Sequence, residues 1–237
     1  MAAKILILVE GEKTDVKLMN HLLQVYGISE DHVIVSYNTN IYTLYKAMFL
    51  DNDPETIDLL QLLKSKEKDP QKKLIFEENY SDILLIFDLD PQDPTFTSES
   101  IREMQAFFTE SSDMGKLYLN YPMVEAFYHM TEIPDDQYPT RIATLEELKA
   151  GQYKARVNHE NRNHNYTKFA VSRDECNVVI RQNLEKGRSL ASDTSDIPDC
   201  SRILTAQLAL LEQEQVVSVL CTCVYYIAEF SKQLLES

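Results

Sequence analysis

Leu84–Pro91, LLIFDLDP, sets two carboxylates, Asp88 and Asp90, at the end of an apolar run. The residues Ile83 to Phe87 are uniformly apolar, which predicts a strand buried on both faces, as in a parallel sheet covered by helices. At the carboxyl end of such a strand the chain emerges into the crevice where open α/β sheets place their ligands. In an extended chain the two acids point to the same side, about 7 Å apart at a rise of ~3.4 Å per residue. Like charges that close repel, and a divalent cation that prefers oxygen relieves the repulsion. The competing reading is an ordinary turn, which Asp, Pro91 and Pro94 also favour.

The same pattern opens the chain. Ile5–Val9 predicts a strand, and Val16, Met19, Leu22, Leu23 and Tyr26 then recur at helical spacing until Gly27 closes the helix. Glu10 therefore stands at a strand's carboxyl end as Asp88 does, and Gly11 permits a tight turn into a helix whose N-terminus favours anions. Three carboxylates converge on one crevice with nothing basic fixed among them, the donor set with which a divalent metal holds a phosphodiester.

Further along, Val33–Ser36 predicts a strand, Asn38 to Asn40 cap a helix, Ser98 caps another, and KLYLNYP predicts a strand stopped by Pro122. A helix starting near Pro122 would put Glu125 and His129 at i and i+4 on one face. Glu125 then offers a fourth carboxylate to a second cation, and His129 a donor or proton carrier for a phosphate. The alternative for both is a surface pair. His21, beside Leu22 and Leu23, reads as packing. Strands alternating with helices to residue 130 predict a mostly parallel, Rossmann-like sheet flanked by helices. After that the pattern turns helical over residues 166–187 and 201–236, around a polar turn from Ser189 to Ser201. The expected division is an α/β domain at 1–135 and an α-helical extension at 136–237.

Composition bounds the partners. The chain of 237 residues has a formal charge of −15, yet residues 141–188 carry ten Lys and Arg against six Asp and Glu. Within that basic island Lys154, Arg156, Arg162, Lys168 and Arg173, interleaved with Tyr153, Tyr166 and Phe169, are candidates to track a nucleic-acid backbone, against the alternative of a solvated loop. The four cysteines form no CxxC pair and read as reduced core thiols. The run VVSVLCTCVYYIAEF is too short to span a membrane and predicts a buried core helix. No signal-like segment precedes Ile5, so a cytoplasmic location without membrane association is expected.

The segments ILILVEGEKTD and DILLIFDLD resemble the TOPRIM family, the α/β metal-binding module of primases, topoisomerases and OLD-type nucleases, over roughly residues 3–130. The resemblance implies Mg²⁺ or Mn²⁺ held by Asp88 and Asp90, with Glu10 in metal or acid/base chemistry. VEGEKTD and NYPMVEAFYHM look most like RloB-like TOPRIM proteins of prokaryotic defence, which carry Asn-Pro-x-x-Glu followed by an aromatic residue and a His. This chain keeps Asn120, Pro122, Glu125, Phe127 and His129 but inserts Tyr121. The function expected from the resemblance is a metal-dependent endonuclease acting on DNA or RNA, tRNA included, as a toxic effector in anti-phage defence. The rival is a non-catalytic TOPRIM subunit serving a partner ATPase or a homo-oligomer. FDLDPQDPT also resembles the nucleophile strand of haloacid-dehalogenase phosphatases, but it lies far from the N-terminus and lacks that family's downstream pattern.

Overall fold

The computed structural model describes residues 4–112 and 114–230. A five-stranded sheet runs in the order β2-β1-β3-β5-β4, from β1 (Ile5–Val9), β2 (His32–Ser36), β3 (Asp82–Asp88), β4 (Thr109–Glu110) and β5 (Gly115–Asn120). The first three strands and β5 are parallel, and the two-residue β4 closes the edge antiparallel. Apolar residues on both faces explain this arrangement: all five residues of β1 and six of seven in β3 are buried. From β1 the chain steps outward to β2 and then returns to β3 on the other side. The reversal of direction opens a crevice between the carboxyl ends of β1 and β3.

The helices are α1 (Thr14–Val25), α2 (Ile41–Tyr45), α3 (Leu59–Lys66), α4 (Pro70–Ile75), α5 (Ser98–Phe107), α6 (Leu145–Lys149), α7 (Tyr153–Glu160), α8 (Arg173–Ala191), α9 (Cys200–Glu214) and α10 (Tyr225–Phe230). Asn40 caps α2 as expected, its side chain accepting from the Thr43 amide, and Gly27 after α1 has φ +68°. At α5 the cap is Thr97, one residue before the expected Ser98.

Two expectations change. The chain does not enter a helix at Pro122. Tyr121 exchanges backbone hydrogen bonds with Leu220 in both directions, 2.8 and 2.9 Å, which holds it extended, and Met123 is extended as well. Only a 3₁₀ turn follows, Val124–Tyr128, so Glu125 and His129 do not share a helix face.

The extension beyond residue 135 is not wholly helical. Gln215 takes a left-handed conformation that ends α9, and Val216–Ser218 forms a strand, β7, antiparallel to β6 (Ile142–Thr144). Val216 and Val217 suit a strand, and Gln207 of α9 supplies the hydrogen bonds that β7 would otherwise lack, accepting from the Ser218 amide and donating to its carbonyl. The run from Val216 to Ala228 is buried, as expected, but only Tyr225–Phe230 of it is helix; the expected helix over 231–236 lies outside the described residues. One hydrophobic cluster takes in the sheet, α8, α9, β7 and α10. All four cysteines are free. Among the described residues no helix is long and apolar enough to cross a membrane.

Candidate metal centre

Strand pairing brings the first acids together. Val9 lies opposite Ile86, the Glu10 amide continues the ladder to the Ile86 carbonyl at 3.1 Å, and the Asp88 amide donates to Glu10 Oε2 at 3.1 Å. Asp88 lies opposite Asn120 of β5, whose buried amide group reaches Asp88 Oδ1 at 3.4 Å and is itself held by the Cys223 amide. Asp90 arrives differently from the extended-chain expectation. The strand ends at Asp88, Leu89 turns into the core, and Asp90 adopts φ +41°, a left-handed conformation that Asp tolerates better than most residues. The Asp90 amide donates to the Pro122 carbonyl, and Gln92 donates to its carboxylate. Carboxylate oxygens of Glu10, Asp88 and Asp90 consequently lie within 4.8 Å of one another.

Crowding and burial raise the pKa values of all three acids. Burial, then the charge of Asp90, pushes Glu10 up to about 8; burial, then Glu10, holds Asp88 well above the usual carboxylate range; burial also raises Asp90. Asp88 is only 6% exposed. Ionised together, these groups need a cation more than they need water.

A further acid, Asp15, joins them. It falls on the buried stripe of α1 with Leu18, Met19, Leu22 and Leu23, and its Oδ1 has no hydrogen-bond partner. Burial pushes its pKa up to about 6, with a contribution from the Glu125 charge. That position was the missed signal: an acid at the i, i+3, i+4, i+7 spacing of an apolar face. Gly11 has a role other than the expected tight turn. Its φ is not in the left-handed region; a Cβ there would stand 2.6 Å from Asp15 Oδ2. A Cβ at this position would press on the carboxylate that lies against the backbone.

Glu125 is 3% exposed, with Oε2 unpartnered and Oε1 3.2 Å from Lys154 Nζ. It adds its charge to Asp15, Asp88 and Asp90 but lies outside the three-acid cluster. Although burial lowers it, the Lys154 ammonium has its pKa raised by Glu125, Asp88 and Asp90. Lys154 is thus placed at the carboxylates, where the basic-island reading expected a backbone contact.

The other candidates have different surroundings. His129 is fully buried, with Nε2 2.9 Å from Glu160 and Nδ1 3.1 Å from the Tyr153 hydroxyl, and burial lowers its pKa to about 4. Both ring nitrogens are engaged, so it is no proton carrier for a bound phosphate. Arg156 pairs with Glu147 and donates to the Ile142 carbonyl, Arg162 pairs with Glu175 at 2.6 Å, and the Arg173 guanidinium lies over the Tyr26 ring. Lys168 is exposed, beside the half-buried Tyr166. The island is positive in sequence, but its arginines are largely engaged within the fold. His21 is held by the Ala170 carbonyl at 2.8 Å.

The fold and site define an α/β protein with an open, mostly parallel sheet and a buried carboxylate cluster, able to hold a metal ion, at the point where its strand order reverses. No protein-family model, curated protein or solved structure matches the chain.

Proposed function

We propose that the chain is a Mg²⁺- or Mn²⁺-dependent phosphodiesterase, a nuclease of TOPRIM type. The observation that carries this reading is the placement of Glu10, Asp88 and Asp90 within 4.8 Å at the carboxyl ends of neighbouring parallel strands. The donor set fits a hard cation: it is all oxygen, most of it removed from water, and flanked by the unpartnered oxygens Asp15 Oδ1 and Glu125 Oε2. Bound there, the ion supplies Lewis acidity that lowers the pKa of a water and neutralises charge on a phosphoryl oxygen. Glu10, Asp88 and Asp90 would hold the ion. Asp15 and Glu125 add negative field behind them, and Lys154, 61% exposed at the rim, presents an ammonium to an entering phosphate. A role as a toxic effector in anti-phage defence is part of the same proposal, resting on the resemblance of VEGEKTD and NYPMVEAFYHM.

Against the dehalogenase-type phosphatase, Asp135 is fixed by the Thr131 and Gln137 amides and by Arg141, and so makes no second acidic pair at the cluster. A cleavage assay on single- and double-stranded DNA, total RNA and tRNA, with Mg²⁺ and with Mn²⁺, tests the reading. Hydrolysis that needs the metal and disappears in Glu10→Gln supports it. Absent activity leaves the non-catalytic subunit as the better account, and metal-independent activity that survives in the variant overturns the role of the carboxylates.

A further inference from the structure

A cavity of about 320 Å³ is lined by Lys13, Lys17, Tyr128, Tyr166 and Phe169 among others. Its volume is in the range of small-ligand sites. Three features mark it out. First, its wall is aromatic: Tyr128 and Tyr166 stack in parallel with centroids 4.1 Å apart and planes at 8°, and Phe169 packs edge-on to Tyr128 at 5.8 Å. Second, Lys13 and Lys17 lie one turn apart at the start of α1, exposed, and neither forms an ion pair with any described residue. In a chain of net charge −15, these two ammonium groups stand free to meet an anion. Third, its lining shares elements with the acids: Tyr128 belongs to the turn that carries Glu125, and Lys13 and Lys17 to the segment that carries Glu10 and Asp15. Lys13 follows Glu10 by three residues, and the Glu125 charge acts on the Tyr128 and Tyr166 hydroxyls.

The half-buried ring of Tyr166, backed by the buried Tyr128 and with two exposed ammonium groups in the same lining, suits a planar base attached to a phosphate. An aliphatic anion could pair with the lysines but would forgo stacking on Tyr166, and inorganic phosphate has no use for the rings. Duplex nucleic acid could offer a base to the rings only by unpairing and unstacking it, at a cost that a single strand avoids.

We propose that this cavity binds an unstacked base of a single-stranded nucleic acid, with Lys13 and Lys17 on the adjoining phosphates, and so delivers the next phosphodiester to the Glu10–Asp88–Asp90 centre. The inference deepens the nuclease reading and rests on it for the delivery step alone.

The test is equilibrium binding in EDTA, where no hydrolysis intervenes, using fluorescein-labelled single-stranded DNA and RNA oligonucleotides, an abasic oligonucleotide of the same length, and a duplex. With the wild-type protein, the intact single strands should bind at least about tenfold more tightly than the abasic strand, and more tightly than the duplex. Tyr166→Ala should remove that preference while leaving abasic binding unchanged, and Tyr166→Phe should keep it. Lys13→Ala with Lys17→Ala should weaken every single strand and reduce the slope of log affinity against log salt by about 1.4. Equal binding of intact and abasic strands by the wild type overturns the proposal, and that comparison needs no variant to fold. A base preference without metal-dependent hydrolysis keeps the pocket and removes the nuclease reading; hydrolysis without a base preference does the opposite.

Discussion

Two acidic clusters adjoin the Val124–Tyr128 turn, and they are buried in opposite ways. At Glu125 the chain meets Asp15, Asp88, Asp90 and Glu10, five acids for which Lys154 is the one ion-pair partner among the described residues. At His129 it meets Glu160, which takes Arg141 at 2.8 Å as well as the imidazole, while Asp135 takes the other arm of Arg141 at 2.9 Å and two backbone amides. The second cluster has nearly every oxygen partnered and stabilises the contact between the turn, β6 and α7. The first has two orphaned carboxylate oxygens and raised pKa values. Buried charge left without partners destabilises a fold, so its persistence points to a ligand that the fold by itself does not supply.

The largest expected effect separates the clusters by what a lost charge does. Asp88→Asn removes one like charge from the crowded site, so the metal-free protein should melt at the same temperature as wild type or slightly above it. Its Mg²⁺-dependent rise in melting temperature should vanish, and cleavage should fall by about 10³-fold. In the closed cluster the result inverts. Arg141→Met leaves Asp135 and Glu160 without their shared cation and should cost about 3 kcal/mol of stability by denaturant titration, with metal affinity unchanged. If Asp88→Asn unfolds the protein, or Arg141→Met is silent, the contrast between the clusters fails.

The clusters should also respond oppositely to pH. A carboxyl whose folded pKa is raised binds more protons folded than unfolded, so the stability it contributes falls as pH climbs from its unfolded value to its folded one. For Glu10 that window runs from 4.5 to about 8, and for Asp15 from 3.8 to about 6. His129, lowered from 6.5 to about 4, binds fewer protons folded, and its contribution is lost as pH falls through that interval. Metal-free wild type should therefore weaken on both sides of an optimum. Saturating Mg²⁺ should flatten the alkaline limb and leave the acid limb in place, as melting temperatures from pH 4 to 9 with and without the ion would show. An alkaline limb unaffected by Mg²⁺ would mean that the raised acids do not face the ion.

How much of this was legible follows from what each feature depends on. The apolar runs at Ile5–Val9 and Ile83–Phe87 predict strands because burial on both faces leaves little other reading, and a strand end with an acid predicts the crevice. Sheet order then does the rest, which is why Glu10, Asp88 and Asp90 could be named from sequence. Glu125 and His129 misled because the i, i+4 reading assumed a helix, whereas the backbone pairing of Tyr121 with Leu220, almost a hundred residues on, keeps the chain extended. No local pattern carries that contact. The arginines of the basic island misled for a similar reason: Glu147, Glu160 and Glu175, counted only as a reduction in net charge, turn out to be their direct partners. Asp15 was legible and missed, since an acid on the apolar stripe of α1 is visible in the sequence without any contact map.

The smallest expected effect decides whether Asp15 belongs to the open cluster in function or only in position. Gly11 has an ordinary backbone conformation, so Gly11→Ala adds no φ strain; the new Cβ would meet only the end of the Asp15 side chain, at 2.6 Å. That carboxylate can rotate away, and stability should change by no more than about 1 kcal/mol. Moving or neutralising Asp15 alters the field at the ion without removing a direct ligand, so Gly11→Ala and Asp15→Asn should each weaken Mg²⁺ binding by about tenfold, the lower end for groups just outside the direct ligands. Calorimetric titration of the ion measures this directly. A double variant no weaker than either single one would show that both act through the Asp15 carboxylate. Unchanged affinity in both single variants would instead make Asp15 a buried acid at the start of α1, held by the Gly11 backbone and without influence on the ion.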